Sequence, residues 1–196
     1  MLRTTIASFF LLFACAQNTA AANYDEVKRA SPLQQFAMDP FKESQGYIPV
    51  FFNNKSELIE RFGTPIKEES SKFPDRTSDA MLTNYYLQYD GLAFGIIESE
   101  DKKHSWIEEF EITGNAYALK YELGIGSKRS DIVTLFEPKV YAKSNPMHLY
   151  GEVIGYWADY KDKSGQPKWV VADINVTFYF DATDRVERIV LGSYSD

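Results

Sequence analysis

Gly126-Ser127-Lys128-Arg129-Ser130-Asp131-Ile132-Val133-Thr134-Leu135-Phe136-Glu137-Pro138 reads as one short amphipathic helix with its own start and stop signals. Ile132, Val133 and Phe136 recur at helical spacing and share a face. Ser130 stands where an N-cap hydroxyl accepts a free backbone N–H, and Pro138 halts the run because it cannot continue a helix. The same marks stand earlier in Asn54-Lys55-Ser56-Glu57-Leu58-Ile59-Glu60-Arg61-Phe62-Gly63-Thr64-Pro65, with Ser56 as the expected cap and Leu58, Ile59 and Phe62 as the apolar face. There Gly63 supplies the left-handed residue that ends a helix. Glu137 takes its place in the second copy, so that helix must stop without one.

Outward from each helix the chain turns polar and then alternates with period two, the mark of strands with one buried face. Tyr85, Leu87 and Tyr89 alternate with Tyr86, Gln88 and Asp90; Asp90-Gly91 is a hairpin turn, and Leu92, Phe94 and Ile96 carry the alternation on. Trp106 to Gly114 gives a further strand. After the second helix come Val153 to Tyr160, a turn at Asp162 to Gly165, and Trp169 to Phe180, where Ile174, Val176, Phe178 and Phe180 face one way and Asn175, Thr177 and Tyr179 the other. Asp181 to Asp184 turns the chain into Val186 to Gly192, whose pattern parallels Ile107 to Gly114. The expected architecture is α+β: two tandem repeats, residues 50–122 and 123–196, each a helix followed by an antiparallel meander, forming a twisted sheet with the helices on one face. Residues 23–49 mix charges and prolines without a sustained period and read as a lead-in with at most one short helical turn.

Residues 1–22 read as a secretory signal peptide: Arg3, then an apolar run from Ile6 to Ala16, then polar residues, then Ala20-Ala21-Ala22. The apolar run is roughly half the length of the ~20 residues that span a bilayer. Two processing routes follow. Cleavage after Ala22 releases a chain beginning at Asn23, whereas Leu12-Phe13-Ala14-Cys15 resembles a bacterial lipobox, in which Cys15 becomes a lipidated first residue. Membrane attachment is expected only on the second route. Cys15 is the chain's only cysteine, so on the first route no disulfide framework and no thiolate metal site is expected.

The 196 residues are 44% hydrophobic and 25% charged, which suits one sizeable core or two small fused units and excludes wholesale disorder. A net charge of −7 disfavours nucleic acid and anionic lipid as partners.

Catalytic and metal-binding patterns are sparse. The two histidines, His104 and His148, read as surface loop residues and form no paired zinc motif. No Gly-x-Ser-x-Gly elbow supports a serine nucleophile. Gly124-Ile125-Gly126-Ser127-Lys128 lacks the glycine and lysine spacing of a phosphate loop and serves chain reversal before the helix. Glu108 and Glu109, adjacent on a strand, should point to opposite faces and so make poor acid–base partners. No catalytic residue, cofactor or metal site is expected, and a small hydrolase is the least supported reading. Thirteen Tyr, 14 Phe and three Trp exceed the needs of one core. If one sheet face packs on helices, the other displays Tyr86, Tyr156, Trp157, Tyr160 and Tyr179, residue types that favour protein-binding surfaces.

The capped helix with Gly124-Ile125-Gly126 before it and antiparallel strands after it resembles the SmpA/OmlA (BamE-like) lipoprotein family. In tandem it resembles the beta-lactamase-inhibitor-protein family. The resemblance runs from about residue 50 to residue 196 and is carried best by Leu123 to Ile132. It implies a bacterial cell-envelope protein that acts by binding another protein, periplasmic or secreted. The expected function is an inhibitor or immunity-type factor that occludes an envelope or secreted partner, a basic one given the acidic chain. An assembly or structural role at the outer membrane is the alternative that lipidation at Cys15 would favour.

Overall fold

A computed structural model describes residues 30–42, 55–75, 80–101, 105–137, 139–142, 147–161 and 167–192, with side chains of 154–161 and 167–172 left aside. Among these residues stand three α-helices, α1 (Pro32–Met38), α2 (Lys55–Phe62) and α3 (Arg129–Phe136), and eight strands: β1 (Lys67–Pro74), β2 (Met81–Tyr89), β3 (Leu92–Ser99), β4 (Ser105–Ile112), β5 (Val140–Tyr141), β6 (His148–Lys161), β7 (Pro167–Phe180) and β8 (Val186–Gly192). The strands form one antiparallel sheet in the order β1-β2-β3-β4-β8-β7-β6-β5.

Alternation along the strands sends one side chain in two toward the helices. Leu87, Phe94, Phe110, Leu191 and Val176 lie on one cross-strand rank, and Tyr89, Leu92, Ile112, Ile189, Phe178 and Leu149 on the next; all are buried. The helices close over these ranks. Phe62 of α2 packs 5.2 Å from the Phe94 ring, Phe136 of α3 packs 5.8 Å from Phe178, and Phe94 and Phe110 stack at 4.7 Å. Both helices end as their sequences require: Gly63 adopts φ +80° and donates to Ile59 O, while Glu137 leaves α3 in an extended conformation.

Their starts differ from expectation. α2 already includes Ser56, and the Lys55 N–H is met from across the chain by the buried Glu98 carboxylate at 2.8 Å, a negative group at the positive end of the helix dipole. Ser130 likewise lies inside α3. The cap position is Lys128, whose N–H donates to the Asp131 carboxylate at 3.2 Å.

The largest departure is the lead-in. Ser31 caps α1 and Gln34 closes a capping box, the two bonds measuring 3.3 and 2.9 Å, with Pro32 at the first helical position. Leu33, Phe36, Ala37 and Met38 are buried. Phe36 lies 5.7 Å from Phe136 and 5.9 Å from Phe178, and Phe41 lies 5.5 Å from Phe62 and 5.7 Å from Phe110. Residues 30–42 are therefore a central piece of the core. Gly151 makes room for them: a Cβ there would meet Leu33 Cδ2 at 2.8 Å.

Two strands carry no readable alternation. β1 is exposed along nearly its whole length, and β5 has two residues. Lysines and glutamates on an exposed edge discourage pairing with other chains.

Candidate functional site

Among the described residues the three helices pack on one face of the sheet and none covers the other, whose chemistry is set by one irregularity. β3 and β4 run in regular register from Leu92↔Ile112 to Gly95↔Glu109, but the next pair is Ile96↔Ile107. Glu108 is the extra residue of a β-bulge. A bulge interrupts the two-residue alternation, so consecutive side chains no longer take opposite faces. Glu108 and Glu109 thus line one recess of about 180 Å³ together with Asn84, Tyr86, Ala93, Gly95 and Glu111. This corrects the expectation that the two glutamates point apart.

The recess is acidic, and its three glutamates are partly buried. Burial pushes the Glu108 carboxyl above the usual carboxylate range. It does the same to Glu109, where the neighbouring Glu111 and Glu108 charges push further and Arg188 pulls back. The Tyr86 phenol is raised by burial and by the Glu111 and Glu109 charges. Arg188 of β8 pairs with Glu111 at 3.3 Å and lays its guanidinium 3.8 Å from the Tyr179 ring, whose other neighbour is His148, 4.2 Å away and edge-on. A polar and aromatic band therefore runs over the open face from His148 through Tyr179, Arg188 and Glu111 to Tyr86.

Of the expected binding residues, Tyr86 is exposed on this face and Tyr179 is half-buried on it between His148 and Arg188. The structure brings these two onto one surface. Tyr156, Trp157 and Tyr160 lie in β6, paired with Val171, Val170 and Lys168 of β7, but their side chains fall outside the described residues. Residues 1–22, Cys15 and His104 fall outside them as well. His148 is the first residue of β6, a half-buried strand residue where a loop residue was expected.

Sequence reasoning missed Trp106, 39% exposed, and the convergence of Glu108, Glu109 and Glu111. One signal was available: an isolated glycine inside a strand, here Gly95, marks a candidate bulge. The arrangement brings three carboxylates and the Tyr86 phenol together on one face, with the Trp106 ring exposed on the same face. Searches against protein-family models, curated proteins and solved structures return no match to this chain.

Proposed function

We propose that this chain is an exported bacterial envelope protein that binds another protein through the open face of its sheet and acts by occlusion, as an inhibitor or immunity-type factor. The observation that carries the reading is that face itself: uncovered by the three helices, it exposes Tyr86 and Trp106 beside an acidic recess. Tyr and Trp bury large area with little entropy loss and are enriched among the residues that dominate binding energy at interfaces. The tandem reading supports it. Each half of the sheet follows a helix, and the halves meet at β4 and β8, whose segments share a sequence pattern and pair at Phe110↔Leu191 and Ile112↔Ile189. The resemblance to the SmpA/OmlA and beta-lactamase-inhibitor-protein families points the same way.

The acidic chain fits a basic partner, and long-range attraction raises the association rate of such pairs at low salt. The test is affinity capture from an envelope extract, with residues 23–196 as bait and a Tyr86→Ala, Trp106→Ala variant as control, identifying retained proteins by mass. The expected result is one basic protein held by the first bait and lost from the second, with weaker retention as salt rises. Equal retention by both baits, or capture of outer-membrane assembly components alone, would overturn the reading.

A further inference from the structure

β1 ends the sheet, and among the described residues no strand lies beyond it. The register shows which of its backbone groups are spare. Asp75 N–H donates to Ala80 O at 2.9 Å, and the pairing continues from there through Phe73↔Leu82, Ser71↔Asn84, Glu69↔Tyr86 and Lys67↔Gln88. In an antiparallel pair, residues alternate between turning both backbone groups to the neighbour and turning both away. Glu68, Ser70 and Lys72 are therefore the residues whose N–H and C=O point out of the sheet. The run is bounded at both ends: Ile66 N–H turns back to Gln88 O at 2.7 Å, and Pro74 has no N–H to offer. Every residue of β1 except the half-buried Phe73 is exposed, so the edge is reachable from both faces.

The charges of this edge select its partner. They oppose an unlike strand. A second β1 running antiparallel with Ser70 opposite Ser70 meets them differently, since Glu68 of each copy then lies opposite Lys72 of the other and every outward-facing residue finds an outward-facing partner. Opposite charges directly across a strand pair attract and like charges repel. Sliding by two residues one way puts Glu69 opposite Glu69, and sliding the other way sets Glu68 against Pro74, which lacks the donor. The favoured register also brings Ile66, 74% exposed, across from the exposed Pro74 of the second copy. Within its own chain Glu68 pairs with Lys55, and Lys72 with Glu100 at 2.9 Å. A carboxylate accepts several bonds and an ammonium donates three, so these surface pairs and the new ones coexist.

We propose that β1 pairs with β1 of a second copy of this chain in that register, joining the two sheets across a two-fold axis at Ser70. Directly opposed residues share a face, so both sets of helices lie on one side of the joined sheet and both open faces on the other. The proposal is independent of what those faces bind. Strand pairing of this length alone buries less than the ~1,200 Å² of stable interfaces, so the dimer is transient and forms at high concentration.

The test uses residues 23–196, which keep every described element, in ~0.15 M salt to screen the repulsion between acidic chains. Sedimentation velocity over about 10 µM to 1 mM reads the mass, and NMR reads amide hydrogen exchange. Expected is a reversible monomer–dimer step. Exchange should slow as concentration rises at the amides of Glu68, Ser70 and Lys72 and stay unchanged at Glu69 and Ser71, which already bond within the sheet. Glu68→Lys alone and Lys72→Glu alone should each weaken dimerisation by roughly tenfold or more, because like charges then oppose across the pair. An equimolar mixture of the two variants should restore it, because opposite charges face each other again. Ser70→Pro, which removes the central outward N–H, should abolish it, and proline is tolerated on an edge strand where the N–H faces solvent. If Ser70→Pro does not fold, the charge exchange decides. A monomer at every concentration, which leaves the edge to a strand of another protein or to none, overturns the proposal. So does a dimer without slowed exchange at Glu68, Ser70 and Lys72, or a mixture that associates no more tightly than its components.

Discussion

Glu108 stands one residue out of register between Ile107 and Glu109, and burial holds its carboxyl above the ordinary range. The sign of the consequence follows from proton counting. With the folded pKa raised, the native chain holds more protons than the unfolded chain once pH exceeds the ordinary carboxylate value, so stability falls as pH rises from there to the folded pKa. Glu108→Gln removes that cost. The side chain is only partly buried, so the expected gain near neutral pH is a few tenths of a kcal/mol, vanishing below about pH 4, as urea denaturation at the two pH values will show. Gly192 belongs to the same junction: a Cβ there would lie 2.5 Å from Glu108 O. Gly192→Ala must therefore shift β8 or the bulge, and the expected loss is ~1–3 kcal/mol by the same measurement. At this scale the sequence is legible where alternation holds. Tyr86 and Tyr179 follow from it, whereas the recess does not, because a bulge leaves every residue type unchanged and alters only the pairing.

Among the elements, α1 shows a local signal whose global weight is hidden. Ser31-Pro32-Leu33-Gln34 is a readable capping box, but nothing in a seven-residue helix says that Phe36 will lie against both Phe136 and Phe178. Ser31→Ala should cost about 1 kcal/mol and lower the melting temperature by ~2–4 °C, measurable by calorimetry. An unchanged melting temperature would mean that tertiary packing alone holds this turn. α2 and α3 were legible as helices from their apolar spacing and stop residues. Their caps were not, since the Lys55 N–H is met by Glu98, 43 residues away. β1 was missed for a different reason: a strand exposed on both faces carries no apolar alternation.

Across the whole molecule, the helix-then-strands order predicted an α+β chain with an antiparallel sheet, and the structure has one eight-stranded antiparallel sheet. What the order of elements does not contain is the join. Val186 to Gly192 echoes Ile107 to Gly114 in sequence, and it is between these stretches, at β8 and β4, that the two four-stranded halves meet. Residues 30–42 then tie the halves from the helix side, through Phe36 to one and Phe41 to the other. One face is thereby closed, and among the described residues no helix covers the other. The most direct measurement is the affinity of the captured partner for three versions of residues 23–196: unaltered, Tyr86→Ala with Trp106→Ala on the open face, and Glu60→Ala with Thr134→Ala on the exposed surface of the helices. The account predicts a loss of about 2 kcal/mol or more for the open-face pair and no measurable change for the helix pair. A loss confined to the helix pair would contradict it.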